Sequence, residues 1–339
     1  MQAVIIGAGA LGLGFLAERL APDYDLCLAD IGAKRGQLTE LARQQSYTLN
    51  VCSLSGITRR KVAGSFESAL SDTPAGVEKL REKVSAAHLV LTCAGKKNLR
   101  RLFAGIAPAI NGRGKHWVLL CENGFHLAAQ HAECLPPQAV LVDTVMSRMC
   151  RFAGPEESGV YAPLWASARD ALVVEEYAFL PLDGGVCRGG PFSPAFSLVS
   201  PEEFLMWEHI KLFLHNGLHA FVSYHAHLEG VKLFCEVPAR IRDRAAEVAL
   251  REIVPAILKT HACARPEQVE EYAQALLKRF FNPYLNDTIE RGIRGIEEKL
   301  RPGERLLGGC EFIERAGLEP RGYASTVQSA RQILARRRG

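Results

Sequence analysis

The chain has 339 residues, 48% apolar and 23% charged, with 41 Lys plus Arg against 37 Asp plus Glu and a net charge of +4. That length accommodates about two domains with full cores, which excludes a mini-protein, a disordered tail or a fibrous repeat. The charge balance is too weak to point to nucleic acid or an anionic membrane as partner.

Other broad features agree. No apolar run is long enough for a membrane span. The 10 cysteines are scattered without a CxxC pair, the usage of reduced thiols in a cytoplasmic protein. The start of the chain carries no basic, cleavable leader pattern. The basic run Arg336 to Arg338 reads as a solvated tail.

In chain order, Ala3 to Ile6 is a short apolar strand entering Gly7. Leu11 to Leu20 has helical spacing, closed by Pro22. Tyr24 to Ala29 is a second buried strand, ending at Asp30. His88 to Thr92, Trp117 to Cys121 and Ala139 to Val142 repeat the form, and Ala171 to Phe179 adds another strand. Apolar strands alternating with helices predict an α/β fold, a Rossmann-type doubly wound parallel sheet covered on both faces. Beyond the glycine-rich loops at 183–191 the pattern turns helical: Glu202 to Tyr224, Pro238 to Thr260, Pro266 to Phe281 and Leu285 to Leu300. The expected organisation is a nucleotide-binding domain over 1–195 and a mostly α-helical domain over 196–339.

Gly7-Ala8-Gly9-Ala10-Leu11-Gly12 is a GxGxxG placed after a strand and opening a helix. Gly7 permits the tight turn, Gly9 lets backbone approach a pyrophosphate, and Gly12 packs helix on strand. The amides of Ala10 and Leu11 lie at the helix N-terminus, where phosphate is favoured. Asp30 would accept from the adenosine ribose hydroxyls and repel a 2′-phosphate, which predicts NAD as cofactor. Nearby Lys34 and Arg35 soften that preference. Thr92, Gly95 and Asn98, after the His88 to Thr92 strand, are further candidate cofactor contacts, because ligands of such sheets sit outside the carboxyl ends of the strands.

The segment Trp207 to Gly230 holds Lys211, His215, Asn216 and His219. At about 100° per residue these fall within roughly 140° of one another on a helix, so one side offers an amine, an amide and imidazoles. Oxidation of an alcohol needs a base for the hydroxyl proton and donors that hold the oxygen. A lysine serves as base where burial or neighbouring positive charge lowers its pKa. A packed helix with a snorkelling lysine would show the same spacing. Helical HxxxH also suits zinc, but no HExxH or cysteine cluster accompanies it, and no metal is expected.

The pattern Lys211-x4-Asn216-x2-His219 resembles the signature of the polyol-specific long-chain dehydrogenases, the mannitol dehydrogenase family. The likeness spans most of the chain. It includes the glycine turn running on to Phe15, Cys121-Glu122-Asn123, Phe281-Asn282-Pro283 with Asp287 and Arg291, and Lys299-Leu300 with Arg305-Leu306, the last similar to the sugar-phosphate branch. The resemblance implies zinc-independent hydride transfer with NAD, with Lys211 as acid/base. It makes Asn123 and Asn216 the pair holding the reacting oxygen and gives His219 to the substrate. The implied reaction interconverts a polyol, such as mannitol 1-phosphate, and its ketose, fructose 6-phosphate.

Three departures fall near the implied substrate position. Ser147 replaces a family Asp, Leu180 stands where a Trp is usual, and Ser223-Tyr224-His225-Ala226 replaces AYLG. For a substrate phosphate the candidates are Arg148, Arg294 and Lys299. A 2-keto acid reductase on the same plan, or a non-catalytic NAD(H) sensor, are the alternative readings.

Overall fold

In a computed structural model, described over residues 1–111 and 114–338, with Arg338 described by its backbone alone, the chain divides into two compact units. The first comprises Met1–Cys52 and Ile57–Pro201, the second Ser53–Gly56 and the chain from Glu202 onward.

The first unit is built on a six-stranded sheet ordered β5-β2-β1-β6-β7-β8. These strands are β1 (Gln2–Ile6), β2 (Asp25–Asp30), β5 (Phe66–Leu70), β6 (Leu89–Thr92), β7 (His116–Leu120) and β8 (Ala139–Asp143). Every pairing is parallel. Along β1, Ala3 and Ile5 pack into one apolar cluster, Val4 and Ile6 into the other. That two-residue alternation, with both faces buried, explains the unbroken apolar runs. Helices Arg35–Gln44, Pro74–Ala86 and Leu99–Ile106 follow strands of this sheet. The second of them starts at Pro74 with Thr73 Oγ1 accepting from Gly76 N at 3.3 Å, a favourable helix entry.

The sequence did not announce a second sheet, β4-β3-β10-β9, in the order Gly56–Ala63, Ser46–Ser53, Ala171–Glu175 and Cys150–Ala153. It mixes parallel and antiparallel pairings. A short pair, β11 (Pro181–Asp183) with β12 (Ser197–Val199), keeps the chain in the first unit as far as Pro201.

The second unit is helical. Pro201–His209 and Asn216–Leu228 are joined by a π-helical turn, Ile210–His215. Ala239–Val248, Val254–Thr260, Pro266–Phe280, Leu307–Arg315 and Arg321–Arg338 follow, among shorter turns. Two expectations are corrected. The segment 285–300 is not one helix: it breaks into Ile289–Gly292 and Ile296–Lys299, because Gly295 takes a φ of 61°. The basic run is the end of a helix, with Arg336 and Arg337 exposed on it; the side chain of Arg338 lies outside the described residues. No described helix is long and apolar enough to cross a membrane.

Candidate functional site

In the first unit the chemistry gathers at β1, the central strand where the order reverses from β2 on one side to β6 on the other. Such a switch point leaves a crevice beyond the carboxyl ends of the strands. Gly7 has a φ of 116°, and a Cβ there would lie 2.5 Å from Cys93 O. A Cβ on Gly12 would lie 2.0 Å from Gly7 O, whereas one on Gly9 would meet nothing within 4 Å. The turn is therefore closed at its first and third glycines and open at the middle one. Leu13 N bonds Gly9 O at 3.0 Å, so the first helical turn directs the amides of Ala10, Leu11 and Gly12 outward.

Beside the turn lies a cavity of about 960 Å³ lined by Gly7, Gly9, Asp30, Asp72, Asn98 and Arg101, among others. Asp30 Oδ1 accepts from Ile31 N and Asp72 Oδ1 from Gly32 N, each at 2.8 Å. Two carboxylates thus stand at the end of β2. Asp72 and Arg101 carried no signal in the sequence, since only the strand order brings their segments to this crevice.

The loop after β6 is held from below. Glu122 accepts from Ala94 N at 2.8 Å and Gly95 N at 3.0 Å. Burial pushes its carboxyl up to about 7, although both amides pull the other way. Gly95 follows the clamp with a φ of 93°, and Asn98 Nδ2 bonds Ala94 O at 2.6 Å. Thr92 is fully buried, so its side chain supports this loop from inside the sheet. Asn123, beyond β7, is exposed.

Arg148 departs from its expected role. Its side chain is 1% exposed, with Nε on Glu175 O at 2.8 Å and Nη1 on both Gly14 O and Glu18 Oε2 at 3.0 Å. A guanidinium enclosed on this many acceptors ties the first helix to the second sheet, and offers no face to a phosphate.

In the second unit Lys211, Asn216 and His219 are all half-buried. The π turn changes their spacing from the regular wheel: Asn216 N bonds Lys211 O, an i to i+5 link that brings Asn216 round toward the face of Lys211. Tyr323 braces the turn, its hydroxyl donating to Phe213 O. His215 is 4% exposed and turned into the core, with Nδ1 3.4 Å from Tyr272 Oη. Burial, with Lys211 beside it, holds His215 well below its ordinary pKa, so it is neutral.

His219 faces Asp287 through Nε2 at 3.5 Å and stacks near Phe234. Burial lowers its pKa while Asp287 opposes the shift. The carboxylate can only accept, so Nε2 carries the proton and Nδ1 is left as an acceptor. Asp287 in turn takes a two-point fork from Arg291, Nε at 2.8 Å and Nη2 at 2.6 Å. Burial alone would raise the Asp287 carboxyl; His219 and Arg291 reverse that and hold it below the usual carboxylate range. Lys299 Nζ donates to Gly292 O at 2.6 Å, while Arg294 is exposed.

A glycine turn at the switch point, an acid closing the second strand and a crevice between them define a Rossmann dinucleotide-binding unit. Two family models match the chain: the mannitol dehydrogenase Rossmann domain over residues 1–140 and the mannitol dehydrogenase C-terminal domain over 203–330. The chain belongs to the mannitol dehydrogenase family of oxidoreductases. Mannitol-1-phosphate 5-dehydrogenase of Pseudarthrobacter chlorophenolicus is 26% identical, aligned over 97% of this chain and 85% of its own length. The enzyme of that name from Talaromyces marneffei is also 26% identical, over 98% and 86%. Mannitol 2-dehydrogenase of Pseudomonas fluorescens, solved with NAD and D-mannitol, superposes with a TM-score of 0.74 at 15% identity, covering 97% of this chain and 78% of that one. At that identity the likeness establishes the fold.

Proposed function

We propose that the protein is an NAD-dependent polyol phosphate dehydrogenase, interconverting a secondary alcohol such as mannitol 1-phosphate and the ketose fructose 6-phosphate. The observation that carries the reading is the π-turned helix, which brings Lys211, Asn216 and His219 toward one face. The curated relatives' names and the solved complex with NAD and D-mannitol support it.

The first unit fits the cofactor. Gly9 leaves room for the pyrophosphate, the outward amides of Ala10, Leu11 and Gly12 suit its charge, and Asp30 with Asp72 disfavours a 2′-phosphate. Gly95 and Asn98 complete the crevice on the β6 side, with Thr92 beneath them. When bound, the nicotinamide ring supplies the hydride acceptor or donor.

The protein's own groups handle the proton and the oxygen. Lys211, acting as the free amine, takes the hydroxyl proton in the oxidising direction and returns it to the carbonyl oxygen in the reducing one. The amide of Asn216 donates to that oxygen and holds its developing charge, and the family resemblance assigns Asn123 the same role. His219, fixed by Asp287, accepts at Nδ1 from a neighbouring substrate hydroxyl.

The test follows NADH oxidation with fructose 6-phosphate, fructose, other ketoses and 2-keto acids, with Lys211→Ala alongside. Expected is turnover of the ketose phosphate that falls by roughly 10²- to 10⁴-fold in the variant, with NADH binding retained. Turnover confined to 2-keto acids, or an unaffected Lys211→Ala rate, overturns the reading.

A further inference from the structure

Three residues beyond Asn123 the backbone takes an unfavourable turn. His126 has a φ of 51° and a ψ of 40°, the left-handed region, which costs a side-chain-bearing residue about 1–2 kcal/mol. The loop holds it there. His126 O accepts from Gln130 N at 3.2 Å, and Gln130 Nε2 reaches back to Phe125 O at 2.8 Å. His126 stands at the head of the short helix Leu127–His131 but does not cap it. The cap comes from the neighbouring strand: Asp143, the last residue of β8, accepts from Ala128 N through Oδ1 at 3.0 Å. A histidine is thus kept in a conformation that glycine would adopt with less strain.

The histidine is exposed, and one of its ring nitrogens lies within 4.8 Å of a carboxylate oxygen of Asp143. Burial raises the Asp143 carboxyl, while the amides of Ala128 and Leu127 and the imidazoles of His126 and His131 oppose the rise. His131 itself is turned to Phe103, edge to face at 5.7 Å. A carboxylate favours the proton on the ring nitrogen that faces it, which leaves the other nitrogen of His126 as an acceptor. Strain of this kind persists where a side chain must be aimed, and the direction of aim follows from the sheet.

A dinucleotide bound across a switch point lays one nucleotide on each side of it. Asp30 and Asp72 give the adenosine half to the β2 side, which leaves the side of β6, β7 and β8 for the nicotinamide half. β7 is two strands from β1, roughly 10 Å away at the usual spacing. His126 lies beyond the carboxyl end of β7, and Asp143 closes β8 as the register partner of Leu120. The nicotinamide carboxamide carries an NH2 donor, the complement of the acceptor that the ring leaves open. We propose that His126, oriented by Asp143, binds the nicotinamide half of the cofactor by accepting from its carboxamide. The proposal rests on the NAD reading of the crevice, and adds a contact that no pattern in the sequence marked.

The experiment is calorimetric titration of the full chain with NADH and with ADP-ribose, which lacks the nicotinamide ring. Wild type, His126→Gly, His126→Asn and Asp143→Asn are compared, and the melting temperature of each is measured. Glycine removes the ring and the strain together, so His126→Gly should melt no lower than wild type. It should bind NADH roughly 3- to 10-fold more weakly, with ADP-ribose affinity changed by less than about twofold. Asparagine tolerates the same backbone and keeps a polar side chain, so it should recover part of the loss. Asp143→Asn retains an oxygen for Ala128 N but no charge for the ring, and should show a smaller loss on NADH alone. Equal weakening of both ligands in His126→Gly would mean that the residue only shapes the loop, and unchanged NADH binding would remove the contact; either result overturns the proposal. A wild type that binds neither ligand overturns the NAD reading and this contact with it.

Discussion

Glu122 carries two opposing demands. Its carboxylate grips Ala94 N and Gly95 N best when ionised, yet burial pushes its carboxyl up to about 7, above the ordinary carboxylate value of about 4.3. For a carboxyl raised by folding, its stabilising share is full below the unfolded value and is lost as pH rises through the folded one. Between pH 6 and 8, stability measured by urea unfolding should therefore fall through Glu122, by an amount on the order of 1 kcal/mol. NADH affinity should rise over the same window as the loop tightens. In Glu122→Gln both pH dependences should flatten, with NADH binding fixed at its weaker level. Fluorescence titration of NADH at pH 6, 7 and 8 is the check, and an unchanged slope in the variant removes Glu122 from the cofactor loop. Spacing in the sequence singled out Lys211, Asn216, His219 and the glycines, because their chemistry is carried by local pattern. The placing of Asp72 beside Asp30 and of Glu122 beneath the β6 loop depends on which strands become neighbours, and no local pattern encodes that.

The π turn is the element that sets Lys211 and Asn216 toward one face of the helix. A regular helix would place Asn216 roughly 140° from Lys211; the i to i+5 link brings them closer to one face. The turn is held by a side chain far along the chain: Tyr323 is 1% exposed and its hydroxyl reaches Phe213 O. Gly217 makes room for it, since a Cβ there would sit 1.8 Å from Tyr323 Oη, and Gly309 clears the other edge of the ring at 2.1 Å. Gly217→Ala should therefore expel the phenol, destabilise the protein by about 1–3 kcal/mol and lower kcat by misplacing Lys211 against Asn216. Tyr323→Phe keeps the ring and loses only the hydrogen bond, so it should cost about 1 kcal/mol and leave KM for NADH unchanged. Equal and small effects from both variants would show that the turn holds itself. Element types were legible where apolar runs were long, as in β1, β6 and β7. They were not legible in β4, where Thr58 to Lys61 carry no apolar pattern yet lie in a strand at the edge of its sheet. Nor were they at 285–300, where apolar periodicity concealed the break at Gly295.

At the scale of the molecule, the groups proposed to bind the nucleotide and the helix that carries Lys211 lie in different units, each with its own apolar cluster. A ligand that binds only the folded state raises the unfolding temperature of the unit that holds it. The glycine turn, Asp30, Asp72 and the clamped β6 loop all belong to the first unit. NADH at 100 times its Kd adds about 2.7 kcal/mol. At about 2.1 cal/mol/K of unfolding entropy per residue, that amounts to roughly 4–7 °C, the larger figure applying where the first unit melts by itself. NADPH should give a smaller shift at equal concentration, because its 2′-phosphate meets the carboxylates of Asp30 and Asp72. Asp30→Ala should narrow the gap between the two cofactors and the double variant with Asp72→Ala should close it further. Differential scanning calorimetry of the three proteins with each ligand separates these terms. A gap that survives both substitutions would mean that some other group selects the cofactor.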